Sequence, residues 1–403
     1  MKKTLSYLSV LLVCISLVLS LSLFGCKTTT ATTAAAETTA AAAETTAAAE
    51  TTAAAAETTA APKELTKMTW ISPEGELENT GDYVLWVASA MGYMKQFGIE
   101  LAMEPGPADA LGTTKFVSEK KADVGYPSPA VLISSIAAGM DIVMAWDLVP
   151  TQVFDFAVAK GNDKIMSVKD IAGKSISVWD AGAEVIVAPI LVEIGVDPKS
   201  VTYISNGALW GQAVSEGKAD VAVIWEGMRT QWDSIGMELK YFLGKDFSKM
   251  PGNGYAVRKS DLSDPAKVEM YTNFFKACSM AAEFSRLNPR AAGQIVTDQF
   301  PGLLKTMTPE LILGSMSELS GLIYFGAKNY GGYGGFERAN WDNLLKIAFD
   351  LGQSDKLYTF DDVATDQLIK GANDFDKAKI AEEAKAFQLN DTWSKIADPG
   401  VWE

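Results

Sequence analysis

Apolar and polar positions alternate along most of this chain in short, regular blocks. Lys67 to Ile71 is an apolar run closed by Ser72-Pro73, which predicts a strand. From Asp82 to Phe97 apolar residues recur at 83, 86, 87, 90, 91 and 94, which is helical spacing; Asp82 or Thr80 stands at the cap position and Gly98 at the stop. A strand follows at 99–103, ended by Pro105-Gly106-Pro107, then a helix at 110–120 and a strand at 122–126. Ser128-Pro129 opens a helix with Pro in its first turn, running to Gly139, and 141–146 is a further strand. The pattern then repeats. Strands are expected at 155–159, 175–179, 201–204, 219–225, 238–242 and 255–258, and helices at 183–195, 208–217 and from 226 to Gly236. From Pro265 onward the chain reads as mainly helical.

This order predicts an α/β protein with mainly parallel sheets flanked by helices. It falls into two runs, 67–146 and 175–242. One segment echoes between them: Lys120-Lys-Ala-Asp-Val-Gly-Tyr126 returns as Gly217-Lys-Ala-Asp-Val-Ala-Val223. Two lobes of similar build are therefore expected.

The first residues read as an address. Met1-Lys2-Lys3 precedes an apolar run from Leu5 to Phe24, the pattern of a secretory signal, and the run ends Leu23-Phe24-Gly25-Cys26. That ending resembles the bacterial lipobox, although Phe24 is bulkier than usual there; residues 1–26 are the expected lipoprotein signal and Cys26 the expected lipidation site. Several acyl chains on one Cys give stable anchoring. An uncleaved membrane anchor is the alternative, and both put the body outside the cytoplasmic membrane. Residues 27–62 follow as a tether dominated by Ala, Thr and Glu, with no large apolar side chain to offset the entropy of ordering. As a flexible coil it spans roughly 35 Å.

Composition narrows the function. The 403 residues carry 35 Lys+Arg against 50 Asp+Glu and no His. Few of these charges lie in the address, so the acidity belongs to the body, and nucleic-acid wrapping is disfavoured. Without His there is no Ser-His-Asp or Cys-His mechanism and no His-containing zinc site. Cys278 is the one thiol of the body; it sits on a helical apolar face and is expected to be core. No metal or cofactor is expected.

Five stretches carry a family resemblance. They are Met91-Gly-Tyr-Met-Lys-Gln-Phe-Gly-Ile-Glu-Leu101, Lys121-Ala-Asp-Val-Gly-Tyr-Pro-Ser-Pro129, Ile165-Met-Ser-Val-Lys-Asp-Ile-Ala-Gly-Lys-Ser-Ile-Ser-Val178, Leu191-Val-Glu-Ile-Gly-Val-Asp-Pro-Lys-Ser-Val201 and Gly217-Lys-Ala-Asp-Val-Ala-Val-Ile-Trp225. In this order the chain resembles the substrate-binding proteins of ABC importers, in the nitrate/sulfonate/taurine and thiamine-precursor group. The resemblance implies a two-lobed, type II periplasmic-binding-protein fold with two hinge crossovers. Residues 66–152 would form the first lobe, 153–255 the second, and 256–403 the return to the first lobe with the C-terminal helices. It further implies a monomer, lipid-anchored at the outer face of the cytoplasmic membrane, that hands a small ligand to a permease and its ATPase.

In open α/β sheets ligands sit beyond the carboxyl ends of strands. That rule selects Asp82, Tyr83, Ser128 and Trp146 in the first lobe, and Trp179, Asp180, Asn206, Trp210, Trp225 and Glu226 in the second. Each has a plainer reading: the tryptophans pack under the next helix, and Asp82, Ser128, Asp180 and Glu226 cap helices. Asn329 to Phe336, rich in Gly and Tyr, reads as a mobile surface loop rather than an aromatic lid.

The strand ends carry many acids, and Arg229 is the one base near them. This disfavours a compact anion and favours a neutral or weakly cationic ligand with an aromatic or heterocyclic part, such as a pyrimidine thiamine precursor or a flavin. A receptor for nitrate, sulfonate or taurine is the alternative within the resemblance. A ligand sensor without a transporter, or a carboxylate-based enzyme on the same fold, is the alternative outside it; members that synthesise the pyrimidine depend on a His this chain lacks.

Overall fold

The computed structural model describes residues 64–403 other than Ala108 and Ala110. The expected signal, the Cys26 lipidation site and the tether lie outside the described residues. The strands are β1 (Thr66–Ser72), β2 (Ile99–Pro105), β3 (Val124–Gly125), β4 (Val143–Trp146), β5 (Phe154–Ala159), β6 (Ser175–Val178), β7 (Thr202–Ser205), β8 (Val221–Trp225), β9 (Leu239–Phe242) and β10 (Tyr255–Val257). They form two five-stranded sheets, ordered β2-β1-β3-β10-β4 and β7-β6-β8-β5-β9.

The two orders are the same motif. In the first sheet β1 pairs in parallel with β2 and β3, and β10 lies antiparallel between β3 and β4. In the second β6 pairs in parallel with β7 and β8, and β5 lies antiparallel between β8 and β9. Each sheet thus takes its one antiparallel strand from the chain as it crosses between sheets. The two crossings run side by side, with Val149 N–H donating to Asn253 O (3.0 Å) and Gly252 N–H to Val149 O (2.8 Å). A Cβ on Gly252 would stand 2.5 Å from Thr151 O, so only glycine allows this approach.

The echoed Lys-Ala-Asp-Val segment does the same work twice. Asp123 Oδ2 accepts from Thr69 N–H of β1 (2.9 Å), and Asp220 Oδ2 accepts from Ser175 N–H at the start of β6 (2.9 Å). Each carboxylate fastens the end of one strand to its parallel neighbour.

Helices cover both sheets. In the first half they include α1 (Tyr83–Ala90), α2 (Pro129–Ala137), α3 (Glu184–Glu193), α4 (Trp210–Ser215) and α5 (Met228–Ser234). The single helix expected over 82–97 is instead α1 and a separate turn, Tyr93–Gln96; the break is Gly92, whose φ of 74° ends a right-handed helix. Asp82 makes no capping bond to α1, whereas Ser128 Oγ accepts from Val131 N–H at the start of α2. The C-terminal part adds α6 (Pro265–Leu287), α7 (Pro289–Gln299), α8 (Pro309–Asn329) and α9 (Arg338–Asp350). Helices α6 and α7 pack on α1 in the first lobe, while α8 reaches α5 and α9 reaches α3 in the second. Cys278, on α6, is fully buried, and burial pushes its thiol well above the usual range.

The Gly/Tyr-rich segment differs from its expectation as a surface loop. Tyr333 is buried and its hydroxyl donates to Glu283 (2.6 Å). Gly334 lies against the Trp146 indole with no room for a Cβ, and its carbonyl accepts from Asp147 N–H (2.9 Å). Gly334 is glycine because the Trp146 indole takes the space a side chain would need. Among the described residues no helix is long and apolar enough to cross a membrane.

Candidate functional site

A cavity of about 680 Å³ opens where the carboxyl ends of the parallel strands of both sheets meet. The first lobe contributes the loop Pro73 to Gly81 after β1, Asp109, and Tyr126, Pro127 and Ser128 after β3. The second contributes Phe154, Trp179 after β6, Trp210 after β7, Trp225 and Glu226 after β8, and Trp232 on α5. Asn253 of the second crossing, Leu303, Met307 and Leu319 complete the wall.

Of the residues chosen from the sequence, Ser128, Trp179, Trp210, Trp225 and Glu226 line this cavity. Asp82, Tyr83, Trp146, Asp180 and Asn206 do not, and each has a physical reason. Trp146 is fully buried, stacked on Tyr255 (5.4 Å) and Phe275 (5.7 Å), and its indole N–H donates to Tyr333 O (3.0 Å). The C-terminal helices have covered that strand end. Tyr83 lies on the buried face of α1, edge-on to Trp402 at 6.0 Å. Asp82 is buried behind the loop, accepting from Asn79 Nδ2 (3.1 Å). Asp180 turns back to accept from Gly182 N–H (2.6 Å), and Asn206 donates to Ser177 Oγ (2.7 Å) beneath β6.

The second-lobe wall is a cluster of indoles. Trp210 and Trp225 lie nearly parallel, 5.7 Å apart at 19°; Trp179 stands edge-on to Trp225 at 5.4 Å and 86°, and Trp232 backs Trp210 at 5.3 Å. Trp210 is fixed by its N–H, which donates to Val223 O (2.9 Å). Gly211 has Trp232 where a Cβ would go, which lets α4 press against that ring. Trp179, Trp210 and Trp225 remain partly exposed and Trp232 is buried.

The opposite wall is acidic and ordered by a turn. Asn79 Oδ1 accepts from Gly81 N–H (2.8 Å) and Asp82 N–H (3.1 Å), so one side chain shapes the loop carrying Glu74, Glu76 and Glu78. Burial, with Asp82 and Glu76 nearby, raises the Glu74 carboxyl to about 8. Burial likewise raises Asp82 to about 7, against the opposing bond from Asn79.

Arg229, the base expected near the cleft, does not line it. Its guanidinium is held by Asp155, by Glu226 (2.6 Å) and by Glu318 of α8 (3.7 Å). Burial outweighs this pairing, so Asp155 rises to about 6 and Glu226 to about 8. Glu318 also accepts from Gly227 N–H (2.7 Å), Thr230 N–H (3.2 Å) and the Thr230 hydroxyl (2.6 Å). A carboxylate from α8 thus clasps the start of α5 beside the cavity. The clasp joins a C-terminal helix to the second lobe.

Sequence reasoning passed over Glu74, Glu76 and Glu78, although the strand-end rule applied to β1 as to the others. Trp232 and Met307 carried no such signal, because only tertiary packing brings them in.

No curated relative matches the sequence. Among solved structures, the chain is similar to the alkanesulfonate-binding protein SsuA from Xanthomonas axonopodis pv. citri bound to MOPS, at 11% identity and TM-score 0.56, over 75% of this chain and 99% of that one. It is similar to the ligand-binding component of an ABC-type import system from Staphylococcus aureus with zinc bound, at 12% identity and TM-score 0.56, over 77% and 99%. It is also similar to the periplasmic aliphatic sulphonate binding protein SsuA from Escherichia coli, at 12% identity and TM-score 0.55, over 75% and 92%. These likenesses establish the periplasmic-binding-protein fold. The family model described as "NMT1/THI5 like" matches residues 79–292, which take in β2 to β10, and the chain belongs to that family.

Proposed function

We propose that this protein is the extracytoplasmic solute-binding receptor of an ABC importer, and that it binds a small ligand with a flat heteroaromatic part, of pyrimidine or flavin type. The observation that carries the reading is the tryptophan wall: three partly exposed indoles from three different strand ends converge on one inter-lobe cavity. Stacking a flat ring there buries apolar area on both partners and adds the offset-stacking preference of aromatic pairs. The cavity is also of the size that small-ligand sites have. Closure would pivot at the paired crossings around Val149 and Gly252, where two short hydrogen-bonded segments connect the sheets. The ligand-loaded form would then be presented to a permease. The reading includes a monomer anchored through Cys26, and no catalytic step.

The test is a thermal-shift screen of pyrimidines, flavins, amines, sulfonates and nitrate, followed by tryptophan fluorescence titration. A heteroaromatic hit whose fluorescence response disappears in Trp179→Ala and Trp225→Ala is expected. Stabilisation by sulfonates or nitrate alone would reverse the ligand assignment. An unchanged scattering envelope at saturation with a bound ligand would remove the hinge.

A further inference from the structure

The receptor reading leaves the charge of the ligand open, and the cavity's own electrostatics bear on it. We propose that the ligand is an organic cation, carrying its positive charge on or beside the ring that meets the indoles. This rests on the receptor reading and deepens it.

Five carboxylates line the cavity, Glu74, Glu76, Glu78, Asp109 and Glu226, and among the described residues no Lys or Arg does. The nearest base offers no compensation. Arg229 is already shared among Asp155, Glu226 and Glu318, so the group behind Glu226 holds more acids than bases. Glu226 is only 4% exposed and reaches the cavity from the end of β8, directly after Trp225. At pH about 8 and above, where Glu74 and Glu226 ionise, an anion entering here meets like charge in a low-dielectric wall, which is costly. A neutral ring would stack, yet closure over it would desolvate these acids with nothing to match them. A cation answers both walls at once. Its charge is attracted to the electron-rich indole faces and to the carboxylates opposite. The near-perpendicular arrangement of Trp179 and Trp225 offers a face and an edge, the geometry in which aromatic cages hold such groups.

The raised carboxyls add a pH signature. Around Glu226 stand Asp155 on β5, Arg229 on α5 and Glu318 on α8; around Glu74 stand Asp82 and Glu76. A bound cation favours the ionised acids, so its binding releases protons and tightens as pH rises.

Calorimetry on the whole protein with N-methylquinolinium and its neutral counterpart quinoline tests this. At pH about 8 the cation is expected to bind at least about tenfold tighter. Its affinity should increase from pH about 6 to about 9, with heats that vary with buffer ionisation enthalpy because protons leave. In Glu226→Gln the cation-to-neutral ratio should fall toward one; if that variant does not fold, Glu74→Gln in the first-lobe loop reads the same ratio. Equal or tighter binding of quinoline, or a ratio unmoved by both variants, overturns the charge assignment while leaving a heteroaromatic receptor standing. Failure of both probes, together with an empty thermal-shift screen of heteroaromatics, overturns the heteroaromatic reading and this inference together.

Discussion

The two lobes have the same sheet order and the same Asp fastening, yet they face the cavity with opposite chemistry. In the first lobe the Trp at the end of β4 is sealed into the core by Phe275 and the Tyr333–Gly334 turn. What that lobe shows the cavity is acidic, the Glu74, Glu76 and Glu78 loop. In the second lobe Trp179 and Trp225 stand at the ends of β6 and β8, the counterparts of β1 and β3, and stay partly exposed. The difference lies in the covering. Residues beyond β10 build a second helical layer over the first lobe and reach the second mainly through α8 and α9. A tryptophan under that layer is architecture, and one beyond it is available surface. Local sequence does not distinguish the two.

The contrast can be broken most sharply by paired alanine substitutions. Trp146→Ala is expected to cost about 3–5 kcal/mol of stability by emptying a sealed core site. Chemical denaturation measures it, and a loss below about 1 kcal/mol would mean Trp146 is not the core anchor described. Trp225→Ala should cost far less stability but weaken a heteroaromatic ligand roughly 100-fold, since it removes the centre of the indole cluster. Calorimetric affinity within threefold or so of the parent, as for a surface position, would take the second lobe's wall out of the site.

A smaller effect is expected at the clasp. Glu318→Ala releases Gly227 and Thr230 and should widen the small-angle scattering envelope of the liganded protein, with affinity falling roughly tenfold. An envelope identical to the parent's would show that α8 does not restrain the second lobe.

Stability should also fall as pH rises from about 5 to about 8. Glu74, Asp82, Asp155 and Glu226 all have folded-state carboxyls raised above their unfolded values. The folded protein therefore holds protons that the unfolded chain has released, and that advantage is lost on passing upward through the raised values. A melting temperature that climbs over this interval would contradict the assignment. The finest test compares the two fastenings. Asp220→Asn should cost about 1 kcal/mol, and Asp123→Asn more, because Asp123 also pairs with Arg258 at 3.0 Å. Equal losses in denaturation would mean the Arg258 pair contributes no more than the bond Asp220 accepts from the Ser175 hydroxyl at 2.7 Å.

Much of this molecule was legible along the chain. The strand–helix alternation gave both sheets their strands, because period and punctuation are local properties. Gly92 was the clearest local miss: one helix was expected where a left-handed glycine makes two pieces. At the site, Ser128, Trp179, Trp210, Trp225 and Glu226 were found by a topological rule, that strand ends carry sites. The same rule chose Trp146, Asp180 and Asn206, which fold away. It names positions but not the direction in which a side chain leaves them. Asp180 and Asn206 were diverted by hydrogen bonds within their own turns. Trp146 was diverted by residues more than a hundred positions later.

The sequence by itself determined the alternation, the doubled lobe and the acidic balance, because each depends on residue type and near-neighbour spacing. Only the tertiary structure decided which tryptophans form a wall and which form a core. It also decided that Arg229 is spent on three acids rather than offered to a ligand. Those outcomes depend on what a distant segment covers, and on burial raising the free energy of any charge left without a partner.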